Sequence, residues 1–283
     1  MQKIFHPLWI GSNLSGVSQT RNAFRASALF FAGIAAAFWT AAMLEVRAQQ
    51  LVQGSSLKLA DYYPAPHETE MKSLVQGQRA RPQGAGKVLI DQARLETFRE
   101  TGDHEFVAEA PQCLLDQTSH VLQSPGPIEV RTADGKFVLD GEGFLWLQTN
   151  SVLFISNHVH TTIQPELMSE SPEVATKASG QAKRPPVEIF SDRFKYERQT
   201  GLAVYRENVR ASGTNMALAS SVLTMVLPMA EHQLKSVTAD ERVVMDYSGV
   251  HATGEHATYD VATEIAHVTG HPAWHSEQRE GRG

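Results

Sequence analysis

Three histidines recur at four-residue spacing in "HVTGHPAWH": His267, His271 and His275. On a helix that spacing stacks imidazoles along one face, which is how a metal site is built. Gly270 and Pro272 lie inside the run, and both oppose helix. On a strand the three share a face, but at ~3.3 Å per residue neighbours stand about 13 Å apart. One ion with Zn–N bonds of ~2.0–2.1 Å cannot reach two of them. His251 and His256 could join them only across strands. A cupin-like metalloenzyme using these histidines is therefore a minor reading, and no metal or other cofactor is expected.

The remaining candidates for chemistry are weaker. Asp140 with Glu142, and Glu109 with Asp116, sit beside turn signals, where solvated charge is the ordinary explanation. There is no nucleophile motif, no phosphate-cradling glycine loop and no Ser/His/Asp order. Cys113 is the only cysteine, so an internal disulfide and a cysteine-based zinc site are both excluded. It lies in an apolar stretch and reads as a small core residue. The formal net charge of -6 argues against nucleic acid as a partner, because phosphate binding wants a clustered basic face. Catalysis is not expected.

What must position these residues is a set of strands. From about Met71 onward apolar residues recur with period two. In "IEVRTADGKFVLDGEGFLWL", Ile128 and Val130 share a face, Asp134-Gly135 signals a hairpin, and Phe137 and Leu139 share a face beyond it. Asp140-Gly141 breaks the run, and Phe144 and Trp146 resume it. Similar punctuation stands at Ser212-Gly213, Ser248-Gly249 and Thr253-Gly254. No amphipathic helix of twelve or more residues is evident after Leu57, so the class is all-β.

The strand pattern repeats. "GFLWLQTNSVLFISNHV" (143–159) aligns without a gap on "RFKYERQTGLAVYRENV" (193–209), matching Phe144 and Trp146 to Phe194 and Tyr196. Tyr196, Thr200 and Ala203 align in turn with Tyr259, Thr263 and Ala266. A weaker copy, 113–127, aligns Asp116 with Asp260 and Gly126 with Gly270. Gln-Thr pairs recur at 117–118, 148–149 and 199–200. Each unit is strand, polar turn, strand. A single hairpin is marginal in water, whereas stacked hairpins can share an apolar interior.

One face of these hairpins carries Phe137, Leu139, Phe144, Trp146, Phe154, Phe194, Tyr196, Val204, Val222 and Tyr259. They could fill a sandwich core. Collectively they could line an apolar trough, in which an acyl chain gains ~0.8 kcal/mol per buried methylene. A register shift of one residue would exchange every inside assignment for an outside one.

Two segments differ in kind. Arg21 and Arg25 precede an uncharged stretch, Ala28 to Leu44. At ~1.5 Å per residue it reaches about 25 Å as a helix, near the lower limit for a ~30 Å hydrocarbon core. It reads as an uncleaved anchor with a cytoplasmic N-terminus (1–27), or as a signal peptide cleaved near Ala48; the long lead-in favours the anchor. Either way the rest is expected to be exported. Residues 164–186 are rich in Pro, Ser, Ala and charge and read as a linker between β modules at 58–163 and 187–283.

The second module resembles the OstA/LptA-like periplasmic proteins of lipopolysaccharide export. The resemblance rests on "FKYERQTGLAVYRENVRAS", with a motif like the family's Gly-Asn-Val, and on "GVHATGEHATYDVATEIAHVTGHP". Glu207 stands where that family usually has glycine. The first module looks like the related LptC family, through the anchor followed by "GKFVLDGEGFLWLQTNSVLFISNHVHTTI". The resemblance implies a folded-over, jelly-roll-like antiparallel sheet (a "β-taco") with a lipid groove and no catalysis. It also implies lipopolysaccharide or a similar glycolipid as ligand and an inner-membrane ABC transporter as donor. Other OstA/LptA-like modules would join by edge-strand pairing. The expected location is the inner membrane with the bulk in the periplasm, or the periplasm alone if the N-terminus is cleaved. The competing reading is a membrane-tethered β scaffold or signalling module that binds protein through its sheet edges.

Overall fold

The computed structural model describes residues 56–168, 185–227, 233–263 and 265–283. The expected anchor and most of the expected linker lie outside them. Among the described residues no helix is long and apolar enough to cross a membrane. The described part belongs to one compact unit, Leu51–Gly283.

That unit is a 17-stranded antiparallel sheet. The strands are β1 (Leu57–Tyr62), β2 (Met71–Gly77), β3 (Arg79–Gly84), β4 (Lys87–Phe98), β5 (His104–Asp116), β6 (Val121–Thr132), β7 (Phe137–Leu147), β8 (Val152–Ile163), β9 (Val187–Ser191), β10 (Arg193–Glu197), β11 (Leu202–Gly213), β12 (Met216–Val226), β13 (Ser236–Tyr247), β14 (Val250–Asp260), β15 (Ile265–Thr269), β16 (Ala273–His275) and β17 (Glu280–Arg282). Among the described residues the only helical element is a 3-10 turn, Pro165–Met168. The two stretches expected as modules are hydrogen-bonded into the same sheet, because β8 pairs with both β9 and β10.

Long strands alternate with pairs of short ones for a reason visible in the register. β4 pairs with β2 through its C-terminal half and with β3 through its N-terminal half. β8 and β11 divide in the same way between β9 and β10. β14 divides between β15 and β16. Midway along the long strands the register slips, at Glu109/Leu114, Ser124/Pro127, Asp140/Glu142, Arg206/Val209, Ala219/Val222 and Asp240/Val243. Bulges bend a strand and sharpen its twist. Aligned across neighbouring strands, they make a crease that folds the sheet into two layers. One layer holds β2, β9 and β16, the other β3, β10 and β15, and each long strand contributes a half to both.

The crease explains two signals that read as turns. Asp140-Gly141 does not end a strand; it is the bulge in β7. Gly141 is required there because a Cβ would lie 2.5 Å from Ile155 Cγ2. Thr253-Gly254 likewise lies inside β14. Asp134-Gly135 and Ser248-Gly249 are true hairpin turns, with positive φ at Gly135, Ser248 and Gly249.

Contacts between the layers establish that they face one another. Phe106, in the first layer, meets the second-layer rings of Trp146 and Tyr196 edge-on, at centroid distances of 5.7 and 6.4 Å. Tyr205 OH is within hydrogen-bonding distance of Thr161 Oγ1, 3.1 Å away on the opposite layer. The all-β class is as the strand pattern predicts, and the folded-over sheet is as the resemblance implies.

Candidate lipid interior

Cross-strand partners share a face of the sheet, so the register assigns every side chain to the interior or the exterior. In the first layer one row runs Leu59, Val75, Leu95, Ala108, Val130, Leu139, Thr161, Ile189, Ala211, Leu218, Met245, Ala252, Trp274. Facing it in the second layer runs Pro82, Val88, Leu115, Leu122, Trp146, Leu153, Tyr196, Ala203, Met225, Val237, Tyr259, Ala266. Thr161 and Trp274 are the side chains with hydrogen-bonding groups in the first row, and the Thr161 hydroxyl is engaged by Tyr205.

The register also explains the internal repeat. Phe144 and Phe194 pair with Ile155 from its two sides, and Trp146 and Tyr196 pair with Leu153 in the same way. The two aromatic pairs are therefore neighbours in the same interior rows, two strands apart. Tyr196 opposite Ala203 is repeated as Tyr259 opposite Ala266. Asp116 and Asp260 both close turns, accepting from the backbone N–H groups of Thr118 and Thr263 at 2.9 and 2.8 Å.

Of the residues proposed from sequence, Phe137, Leu139, Phe144, Trp146, Phe194 and Tyr196 are buried on the interior face. Tyr259 is on that face and partly buried. Phe154, Val204 and Val222 lie on the other face. Phe154 pairs with Leu145 and Lys195, Val204 pairs with Lys195, and Val222 pairs with the exposed Arg206. Lys195 Nζ sits over the Phe154 ring, 5.6 Å from its centroid.

Opposite the crease the layers meet along a seam that the sequence did not signal. Arg198, in the turn just after β10, donates through Nε to Glu105 at the start of β5, and through its guanidinium to Phe98 O and Tyr63 OH. Tyr63 OH donates to Phe98 O at 2.7 Å. Burial raises the Tyr63 pKa, against a lowering influence from Arg198. Lys72 Nζ donates to Gln148 O at 2.9 Å, and burial lowers its pKa. Farther along, Leu234 N–H donates to Leu167 O at 2.9 Å. Two of these ties use residues of the Gln-Thr turns or their neighbours, so the repeated turns are seam elements.

The interior between the tied layers is nearly full. Beside Trp146 it leaves about 10 Å³ of open space, lined by apolar side chains and Glu109. The larger cleft, about 870 Å³, follows the crease and is lined mainly by polar residues such as Gln92, Asp140, Glu142 and His158. Cover thins toward the C-terminal strands, where Val237, Tyr259 and Val268 are only partly buried and Tyr247, Val250 and Trp274 are exposed. Apolar rows, buried through the middle of the sheet and uncovered at β13 to β16, suit a long apolar ligand better than a compact polar one.

Residues 188–283 match the family described as LptA/(LptD N-terminal domain) LPS transport protein. The match covers β9 to β17 apart from the first residue of β9, which includes the uncovered end. No curated protein matched the chain. Glu207, where the sequence resemblance expects glycine, has a left-handed backbone. Glu207 and Asn208 are the β11 bulge, with φ of 65° and 52°. That left-handed geometry is what glycine supplies most cheaply.

Among the described residues no three His, Cys, Asp or Glu side chains are grouped to hold a metal ion. His251 and His275 approach, with ring centroids 4.9 Å apart, but His267 is not among their contacts. Cys113 is buried, and burial pushes its thiol pKa up to about 12, which leaves no nucleophile at neutral pH.

Proposed function

We propose that this chain is a non-enzymatic carrier of lipopolysaccharide export. It would hold acyl chains between the two layers of its folded sheet and leave the head group in water. One observation carries the reading: apolar rows, interrupted by Thr161 in the first layer, cross the sheet and end uncovered at β13 to β16, within the segment that matches the LPS transport family. Each methylene moved from water into such a row contributes about 0.8 kcal/mol. Because the closed part has almost no free volume, loading proceeds by parting the layers along the seam, starting from the uncovered end.

In this reading the N-terminal segment fixes the protein to the inner membrane with its sheet in the periplasm, near the ABC transporter that extracts the lipid. The first half of the sheet plays the LptC-like part. The outer edges, β1 and β3 at one end and β15 and β17 at the other, are the places where further OstA/LptA-like modules would add strands.

The test is site-specific photo-crosslinking in the full chain, with probes at Tyr196 and Tyr259 on the interior face and at Phe154 and Val204 on the exterior. The expected result is a lipopolysaccharide adduct from the interior pair alone. Equal capture from both faces, or none from either, would defeat the proposal.

The tight packing around Trp146 favours a second reading for the N-terminal half, as a scaffold that binds protein through its edges. Edge-positioned probes on β1 and β3 would then capture protein, and interior probes would capture nothing.

A further inference from the structure

The outer face of the C-terminal strands carries a row of side chains of the kinds that ligate metals. Asp246 of β13 pairs with His251 of β14, His251 with His275 of β16, and His275 with Glu280 of β17. Cross-strand partners share a face of the sheet. Their chain neighbours Met245, Ala252 and Trp274 belong to the interior row, so this row points outward. His267 does not join it, because the other half of β14 pairs with β15 and sets His267 opposite Thr258 in the second layer. The division of β14 between β15 and β16 thus makes His275 the cross-strand partner of His251.

The two imidazoles already stand at the separation a shared ion sets. Their ring centroids are 4.9 Å apart, with the planes inclined by 41°. With metal–N bonds of ~2.0–2.1 Å and ligand angles of about 90–110°, two imidazoles on one ion have ring centres roughly 4.5–5.2 Å apart. His251 Nδ1 lies 2.7 Å from Asp246 Oδ1. A carboxylate accepts, so it favours the proton on Nδ1 and leaves the Nε2 lone pair for an ion. Carboxylates behind ligating histidines act in this way. His275 is exposed and the His251 side chain is 35% exposed, so an ion reaches both rings from water. Among the described residues no third His, Cys, Asp or Glu is grouped with them to hold an ion, so water completes the coordination.

We infer that His251 and His275 bind a divalent transition-metal ion of the imidazole-preferring class, Cu²⁺ more tightly than Ni²⁺ or Zn²⁺, with Asp246 as a positioning residue. The ion clips β16 to β14. Their pairing is otherwise short, running only from His251 to Thr253 against Ala273 to His275. Because β16 also carries Trp274 at the uncovered end of the interior row, the clip holds that end in place from outside. The site lies on the outer face and does not depend on what the interior carries.

The experiment titrates the full chain in phospholipid nanodiscs with Cu²⁺, followed by calorimetry. His251→Ala and His275→Ala should each weaken the tightest site by about tenfold or more, and Asp246→Asn by about tenfold, while His267→Ala leaves it unchanged. A titration of His275→Ala that matches the wild type overturns the site. Where a variant does not fold, the EPR spectrum of the wild type with one equivalent of Cu²⁺ decides. Splitting from two imidazole nitrogens supports the site, and splitting from one or none ends it. Zn²⁺ at about 100 times its Kd should slow amide exchange in β16 by up to about 100-fold, because opening the strand then requires losing the ion. Unchanged exchange in β16 with Zn²⁺ bound overturns the clip. The carrier reading stands or falls separately, on the crosslinking above.

Discussion

Arg198 Nε donates to the carboxylate of Glu105 across the seam, with side-chain exposures of only 10% and 5%. The two residues belong to opposite layers, so their pairing sets how firmly the sheet stays folded over. Removing one partner of a buried pair leaves an uncompensated charge and costs about 3–5 kcal/mol. Arg198→Ala is therefore expected to lower the unfolding free energy measured by urea denaturation by that amount. Arg198→Leu combined with Glu105→Leu should recover much of it, since no charge is then stranded. A loss under ~1 kcal/mol for Arg198→Ala would mean that the seam is held elsewhere.

Glu207 occupies a left-handed position, φ 65°, beside Asn208 at 52°. The left-handed region costs a non-glycine residue about 1–2 kcal/mol, and asparagine tolerates it better than glutamate. Asn208 also donates to Asp192 at 2.6 Å. The Glu207 side chain makes an exposed contact with Arg193, 3.4 Å, of a kind that contributes little. Glu207→Gly is thus expected to stabilise the fold by about 0.5–1 kcal/mol even after glycine's larger unfolded-state entropy. Glu207→Val should destabilise it. Equilibrium denaturation of the two variants checks the sign of each.

How much of this was legible depends on which physical signal a residue carries. Phe194 and Tyr196 could be grouped because they alternate with Arg193, Lys195 and Glu197, whereas Phe144 and Trp146, with Leu145 between them, could be grouped by their alignment with that pair. Phe154 sits in the run Val152 to Ile155, apolar at every position, where alternation is silent. Its face is decided by partners on β7 and β10, which only register reveals. Val204 in "LAVY" fails for the same reason. The crease was hidden because a bulge and a turn use the same residues; whether Asp140-Gly141 ends a strand depends on what β7 pairs with afterwards. Arg198 gave no signal, since Glu105 and Phe98 are its neighbours only in space.

Asp116 and Asp260 make the fold sensitive to acid. Backbone N–H groups of Ser119 and Thr118 hold the Asp116 carboxyl below the usual range. Thr263 does the same for Asp260, through its backbone N–H and then its hydroxyl. A depressed folded pKa means that the unfolded chain binds more protons as pH falls. The stabilisation is complete above the unfolded value of ~3.9 and is lost as pH drops through the lower folded value. Asp116→Asn and Asp260→Asn should each flatten the decline in stability below about pH 4 while keeping an acceptor for the turn. Denaturation series at several pH values from neutral to acid, with parallel slopes for wild type and variants, would contradict this.

Tyr205 and Thr161 form a polar bridge between the layers, 3.1 Å between hydroxyl oxygens. Burial raises the Tyr205 pKa, with the Thr161 hydrogen bond opposing, so the phenol is neutral in the folded protein. Tyr205→Phe leaves Thr161 with an unmet hydroxyl in an apolar layer, at a cost of about 1–3 kcal/mol. Thr161→Val strands the phenol in the same way. The double variant removes both groups, and its stability should lie closer to wild type than the sum of the single losses allows, giving a coupling of about 0.5–3 kcal/mol. The bridge also spans the space through which a chain would thread. An acyl chain passing between the layers must part these hydroxyls, and the apolar double variant offers it no such barrier. Exchange of a bound fluorescent fatty acid should then be faster in the double variant than in the wild type at similar stability. Additive single losses, with exchange unchanged, would show that the two hydroxyls neither support each other nor stand in the path.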